Sequence, residues 1–285
     1  MIPRLDIKGP NLVKGIHLEG LRVLGKPERF ARWYYEHGAD ELLFVDVVAS
    51  LYGRNSLLDI IERTARDIFI PLTVAGGIRS IEDVRAVLRA GADKAALNTA
   101  AVARPELIRE AATRFGSSTI LVSIETIKRN GRWEVYTNNG RERTGLDALE
   151  WAIQAAEHGA GELLVTSVDR EGTGSGFELD LIRKISESVP IPVIACGGAG
   201  KATDLADAAL EGNAQAVAAA SIFHYGFLRT NPSDEGIAPQ INTVHLRTGN
   251  GFSRVEDATL EQIRDELRAR GVKCLHRLAD GEAAA

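Results

Sequence analysis

The sequence predicts a (βα)8 TIM barrel assembled from two homologous half-barrels, and three observations carry that expectation. Eight short β-rich runs alternate with eight amphipathic stretches of helical period. The β-rich runs are apolar without a two-residue alternation, the pattern of parallel strands covered on both faces. Several motifs of the first half recur 121 residues later. An open doubly wound sheet shares the alternation but not the repeat. A period of four βα units closes naturally into eight strands with twofold pseudosymmetry.

In chain order the β-rich runs fall at residues 2–6, 42–46, 70–75, 94–97, 120–125, 163–168, 191–195 and 216–220. The helical stretches fall at 27–37, 56–66, 81–90, 105–115, 147–158, 179–186, 202–211 and 260–270. Ser80 with Asp83 has the spacing of a capping box, and Pro105 suits a first helical turn. Gly38, Gly91, Gly116, Gly159, Gly212 and Gly271 follow the helices as stops. The repeat aligns Gly38-Ala-Asp-Glu-Leu-Leu with Gly159-Ala-Gly-Glu-Leu-Leu. It also aligns Ile70-Pro71 and Gly76-Gly77 with Ile191-Pro192 and Gly197-Gly198, and Gly91 with Gly212. Residues 225–258, rich in Gly, Asn, Pro and Thr, read as a long loop inserted before the last helix of a single domain spanning 1–285. A lid specific to a partner or substrate is the sharper alternative for that stretch.

Composition narrows the function. With 285 residues, 45% hydrophobic and 26% charged, the chain has the makings of a substantial core. A net charge of −5 without a single-sign block argues against nucleic-acid binding. Cys196 and Cys274 are too few for a disulfide scaffold and fit a reducing compartment. No apolar run approaches the roughly 20 residues that span a bilayer. Asp6 and Lys8 interrupt the N-terminal stretch where a signal peptide would be apolar. The expectation is a cytoplasmic protein that engages neither membrane nor nucleic acid.

Barrel chemistry sits at the C-terminal ends of the strands. Asp6 ends the first strand and Glu125 the fifth, on opposite walls, where two carboxylates suit general acid–base work. Carboxylates beside Lys8, Lys14 and Lys128 equally fit plain salt bridges. Lys14 falls in the loop after strand one, placed to hold phosphate or a developing negative charge. Gly76-Gly77 and Gly197-Gly198-Ala199-Gly200, with Asn98-Thr99 and Ala220-Ser221, read as two phosphate cradles or as tight βα turns. Asp46 and Asp169 add acidic groups at strand ends, and Glu171-Gly172-Thr173 forms a Gly-rich loop. Cys196 reads as a small buried residue, since no histidine stands near to activate it. The six histidines have no metal-ligand spacing, so neither metal nor cofactor is expected.

These motifs together carry a resemblance. Leu5-Asp6-Ile7-Lys8, Val13-Lys14-Gly15, Asp46-Val-Val-Ala-Ser50, Gly76-Gly77-Ile78, Asn98-Thr99-Ala100, Thr166-Ser167-Val168-Asp169, Gly197-Gly198-Ala199-Gly200-Lys201 and Ala220-Ser221-Ile222-Phe223-His224 occur in order over residues 2–224. That stretch closely resembles the cyclase subunit of imidazole glycerol phosphate synthase, the HisF family. The resemblance implies a lyase of histidine biosynthesis that receives ammonia from a glutaminase partner (HisH-like, as a heterodimer) through the barrel interior. Its substrate would be a bisphosphorylated ribulosyl-formimino aminoimidazole carboxamide nucleotide. Its products would be imidazole glycerol phosphate and aminoimidazole carboxamide ribotide. It places the acid–base pair at Asp6 and Glu125, with Lys14 beside them. Phosphate positions fall at Gly77, Asn98 and Thr99 on one side, and at Gly172, Gly198, Ala220 and Ser221 on the other. The ammonia entrance falls at Glu41, Lys94 and Glu162.

Three departures stand out. Glu125 and Glu171 replace family aspartates, each longer by a methylene, on the order of 1.5 Å. The family's Arg ahead of strand one has no counterpart, which leaves the entrance one charge short. The 225–258 stretch is added. They motivate two further readings: a paralogue delivering ammonia to another acceptor such as a surface-polysaccharide sugar, or a non-catalytic activator of a glutaminase.

Overall fold

A computed structural model describes residues 1–49, 57–231, 254–256 and 258–274. The elements run β1 (Ile2–Lys8), β2 (Asn11–Ile16), β3 (Glu19–Gly25), α1 (Pro27–Glu36), β4 (Leu42–Asp46), α2 (Leu58–Ala65), β5 (Leu72–Ala75), α3 (Ile81–Arg89), β6 (Lys94–Leu97), α4 (Thr99–Ala103) and α5 (Glu106–Phe115). The second half follows with β7 (Ile120–Arg129), β8 (Arg132–Thr137), β9 (Glu142–Asp147), α6 (Ala148–Glu157), β10 (Glu162–Ser167), α7 (Leu179–Ser188), β11 (Val193–Cys196), α8 (Ala202–Leu210), β12 (Ala216–Ala219), α9 (Ser221–Thr230) and α10 (Leu260–Ala269).

Eight of these strands close on themselves in parallel, in the order β1-β4-β5-β6-β7-β10-β11-β12, with β12 returning to pair β1. The (βα)8 barrel expected from the alternation is therefore the fold. Each strand has two apolar faces because each faces two cores. Leu5, Ile7, Phe44 and Val74 point outward against helices that contribute Phe30, Trp151 and Phe227. Ile2, Leu43, Leu121, Leu164, Ile194 and Cys196 point inward and form a separate cluster inside the ring. The expected capping box is present: Ser80 accepts from the Asp83 N–H, and the Asp83 carboxylate accepts from the Ser80 N–H. No helix among the described residues is long and apolar enough to cross a membrane.

The structure adds two hairpins that the sequence reading lacks. β2 and β3 extend β1 beyond the barrel, and β8 and β9 extend β7 in the same way. β8 begins 121 residues after β2, so the duplication includes the hairpins. Lys14 consequently lies in a strand and not in a loop. The β7–β8 turn carries the two-residue Asn-Gly signal, with Asn130 and Gly131 both at positive φ. The expected 225–258 loop also needs correction at its start, because α9 continues to Thr230; residues 232–253 and Asp257 lie outside the described residues, as do Ser50 and Ser56.

Gly76 and Gly9 separate two uses of glycine. Both have positive φ, but a Cβ at Gly76 would strike the Asp46 backbone, whereas one at Gly9 meets nothing within 4 Å. Gly76→Ala is expected to cost about 2–5 kcal/mol and Gly9→Ala only about 1–2 kcal/mol. Urea denaturation of the two variants checks the difference, and equal losses would contradict the close approach.

Candidate functional site

The site is assembled by the strand period. Ile2, Arg4 and Asp6 alternate with Leu5 and Ile7, so β1 turns a charged pair into the barrel while its apolar residues face the helices. β1 and β7 are separated by three strands in either direction around the ring. Asp6 and Glu125 therefore stand on opposite walls of one mouth, as the sequence reading expects.

Neither carboxylate is hydrogen-bonded to the lysines that offered a bland explanation. Asp6, 1% exposed, accepts at Oδ1 from Arg4 Nε at 2.8 Å. Glu125 Oε2 accepts from the Gly140 N–H at 2.8 Å, a donor supplied by the turn between β8 and β9. Burial pushes the Glu125 carboxyl above the ordinary range; Arg4, the Gly140 N–H and Asn98 pull it back without overcoming burial. Lys14 Nζ donates to Glu171 Oε1 at 2.5 Å, with both side chains almost wholly buried. Burial opposes both charges, yet Lys14 and Arg4 together hold Glu171 below the usual carboxylate range. Glu171 and Asp6 in turn hold Lys14 above the usual amine range. Lys128 instead pairs with Glu178 at 3.4 Å and lies over the Trp133 ring.

The pair Lys14–Glu171 is part of a larger latch. The His17 N–H donates to the Glu171 carbonyl at 2.8 Å, and His17 Nδ1 lies 2.9 Å from the Val168 carbonyl oxygen. A Cβ on Gly172 would lie 2.6 Å from the Gly15 carbonyl oxygen. The β2–β3 hairpin is thus folded onto the loop after β10. His224, on α9, sits behind this latch with Nδ1 2.6 Å from the Tyr34 hydroxyl. Burial, with Lys14 adding to it, pushes His224 down to about 3, so it stays neutral.

The two glycine runs are not equivalent. Gly77, Asn98 and Thr99 line a cavity of about 230 Å³ that also reaches Glu125, Ser123 and Asp46. Gly198 and Gly200 pack against the backbone of Gly176 and Gly174, and the Gly176 N–H donates to the Gly198 carbonyl. Close backbone packing is a sufficient reason for glycine in that second run. Ala220 and Ser221 are buried where β12 meets α9, outside the lining of the first cavity. Asp46 Oδ1 accepts from the Val48 N–H, and the exposed Asp169 accepts from the Lys128 N–H. Asp169 therefore ties the loop after β10 to the end of β7 and is not among the residues lining that cavity.

At the other end of the barrel, Lys94 Nζ reaches Glu41 Oε2 at 3.0 Å and Glu162 Oε1 at 2.8 Å, and Thr73 donates to Glu41. Burial opposes the Lys94 charge, but both glutamates outweigh it and keep it an ammonium. The three residues expected to share one entrance are together. Among the described residues no His, Cys, Asp or Glu cluster has the makings of a metal site.

Sequence reasoning missed Arg4, Arg79 and Gly140. Arg4, 3% exposed, also lies 3.5 Å from Cys196 Sγ. Its signal was the two-residue spacing to Asp6, which puts both on one strand face. Arg79 borders the cavity and donates to the Ala49 carbonyl at 2.6 Å.

Fold and site define a duplicated (βα)8 barrel with one carboxylate from each half at a latched mouth. The family model described as "Histidine biosynthesis protein" matches residues 1–229. Over 202 residues, the chain is 58% identical to "Imidazole glycerol phosphate synthase subunit HisF" of Legionella pneumophila, covering 70% of this chain and 95% of that protein. The chain belongs to the HisF family of histidine biosynthesis proteins.

Glu125 and Glu171 have opposite linkage to pH. Folded Glu125 holds its proton more tightly than the unfolded chain, so its contribution to stability falls as pH rises above the ordinary carboxylate range. Folded Glu171 releases its proton more readily, so its contribution is present above the unfolded value and lost as pH falls through the folded one. Glu125→Gln is expected to melt above wild type near about pH 7.5 and to lose that advantage near about pH 4, whereas Glu171→Gln melts below wild type near neutrality. Thermal melts across pH test this, and shifts of the same sign for both variants would reject it.

Proposed function

We propose that the chain is the ammonia-dependent cyclase acting on the bisphosphorylated ribulosyl-formimino aminoimidazole carboxamide nucleotide, yielding imidazole glycerol phosphate and aminoimidazole carboxamide ribotide. The observation that carries this reading is the placement of Asp6 and Glu125 on opposite walls of one mouth, in unlike surroundings. Glu125, whose carboxyl keeps its proton more readily, donates to the oxygen that leaves as water when ammonia adds to the substrate's keto carbon. Asp6, held by a cation, takes a proton from the incoming nitrogen. A second transfer in the same sense completes the water. The nitrogen then bonds to the formimino carbon as the bond from that carbon to the ribotide's amino nitrogen breaks, releasing the aminoimidazole carboxamide ribotide. Gly77, Asn98 and Thr99 bind one phosphate in the cavity beside Glu125; Gly172, Gly198, Ala220 and Ser221 serve the other once the latch opens. Lys14 then faces developing negative charge in place of Glu171.

Ammonia enters at Glu41, Lys94 and Glu162 from a glutaminase docked on that face. The reading is supported there by Phe69, 81% exposed and edge-on to Tyr35 just ahead of β5, a large apolar side chain on the same end of the barrel. The chemistry fits the cytoplasm, where substrate and partner would be found. A second reading, another acceptor for ammonia, is favoured by Glu125 itself, whose added reach is used to meet the Gly140 N–H.

The test is turnover of the bisphosphate with ammonium salt alone. Wild type turns over, Asp6→Asn loses about 1000-fold or more, and Glu125→Asp keeps or exceeds the wild-type rate. Full activity in Asp6→Asn removes the acid–base assignment. A folded wild type that leaves the bisphosphate untouched, yet stimulates a glutaminase, transfers the case to the other acceptor or to the activator reading.

A further inference from the structure

We infer that Arg4 is a positioning residue for the chemical step, setting the orientation of Asp6 from beneath; this rests on the acid–base reading above. Arg4 lies one inward step before Asp6 on β1, below the carboxylate and away from the cavity in which a substrate would sit. Its Nε donates to Asp6 Oδ1 at 2.8 Å, and Nη1 reaches Cys196 Sγ on β11 at 3.5 Å. The guanidinium is therefore braced against a second wall of the barrel, and a braced planar donor fixes the carboxylate plane in a way a mobile ammonium does not. Residues of the inner cluster around it are apolar, including Ile2, Leu43, Ile194 and Ala218. An apolar side chain at position 4 would continue that packing, so the fold itself does not require a cation there.

Arg4 also acts on the charges around it. Besides Asp6, its charge is felt at Glu125, Glu171 and Lys14. With Arg4 present, two cations balance Asp6 and Glu171 while Glu125 retains its proton more readily. Without it, three acids share one lysine, and Asp6 is free to turn toward Lys14.

The experiment compares wild type, Arg4→Met and Arg4→Lys in the ammonium-dependent assay, measuring kcat and the KM for the bisphosphate separately. Arg4→Met is expected to lose about 100-fold in kcat, the effect of misplacing a reacting group by about 1 Å, with KM within about threefold of wild type. Arg4→Lys is expected to recover at least about tenfold of that loss, because a cation is restored under Asp6 without its fork. Near-wild-type kcat in a folded Arg4→Met overturns the inference. So does a loss confined to KM, or a lysine variant no better than methionine, since both mark plain packing. Thermal melts of the variants identify misfolding; if Arg4→Met melts early, Arg4→Lys and Arg4→Gln decide the matter by the same kcat criterion. An inactive wild type would remove the underlying reading and this inference with it, and is distinguished by the wild-type arm alone.

Discussion

Buried charge is the constraint on which the rest of the mouth depends. Arg4, Asp6, Lys14, Glu125 and Glu171 are all nearly inaccessible to water. Each ion removed from water loses several kcal/mol of solvation, recovered only by good geometry and a partner. Two pairs meet that condition, Arg4 with Asp6 and Lys14 with Glu171. Glu125 has no cation paired to it; the Gly140 N–H at Oε2, Asn98 and the more distant Arg4 do not offset burial, which pushes its carboxyl up. The difference between the two walls is therefore a consequence of counting cations, and the proposed acid–base reading rests on it.

The same count explains the closure of the mouth. Lys14 reaches Glu171 only because the β2–β3 hairpin bends over the barrel, and its tip does so with His17 and Leu18 both at positive φ. A leucine in that conformation is strained. It is held there because the His17 N–H is bonded to Glu171 and the Leu18 side chain is buried. Electrostatic pairing at Lys14 and backbone strain at the tip are thus coupled through one loop. An anion that competed for Lys14 would loosen both at once.

Much of this was legible in the sequence, for reasons that differ by element. The eight barrel strands announced themselves because burial on both faces leaves continuous apolar runs, and the 121-residue repeat fixed closure. Asp6 and Glu125 were legible because strand ends in a barrel converge on one mouth. The β7–β8 hairpin carried its signal at Asn130-Gly131, whereas the β2–β3 turn has His17-Leu18, a pair without that two-residue turn signal. Arg4 was hidden by its company, since a charged residue in an apolar strand shows its partner only once the period is followed to Asp6. The contrast between the glycine runs was out of reach, because a cradle and a backbone crossing demand the same missing Cβ.

That contrast shows what duplication leaves to later change. Closing two copies of one half-barrel puts equivalent residues at opposite sides of a ring, so each half begins with the same carboxylate, hairpin and glycine turn. Symmetric halves would give two equal acids, and equal acids cannot divide proton donation and acceptance between them. Here the first half places Arg4 under its carboxylate, and the second half gives a longer acid meeting a backbone N–H. One glycine run opens a cavity, while the other receives the chain from the loop after β10. The ring supplies opposition, and the departures from symmetry supply direction. On the proposed acid–base reading, it is this difference between the walls that gives proton transfer its direction.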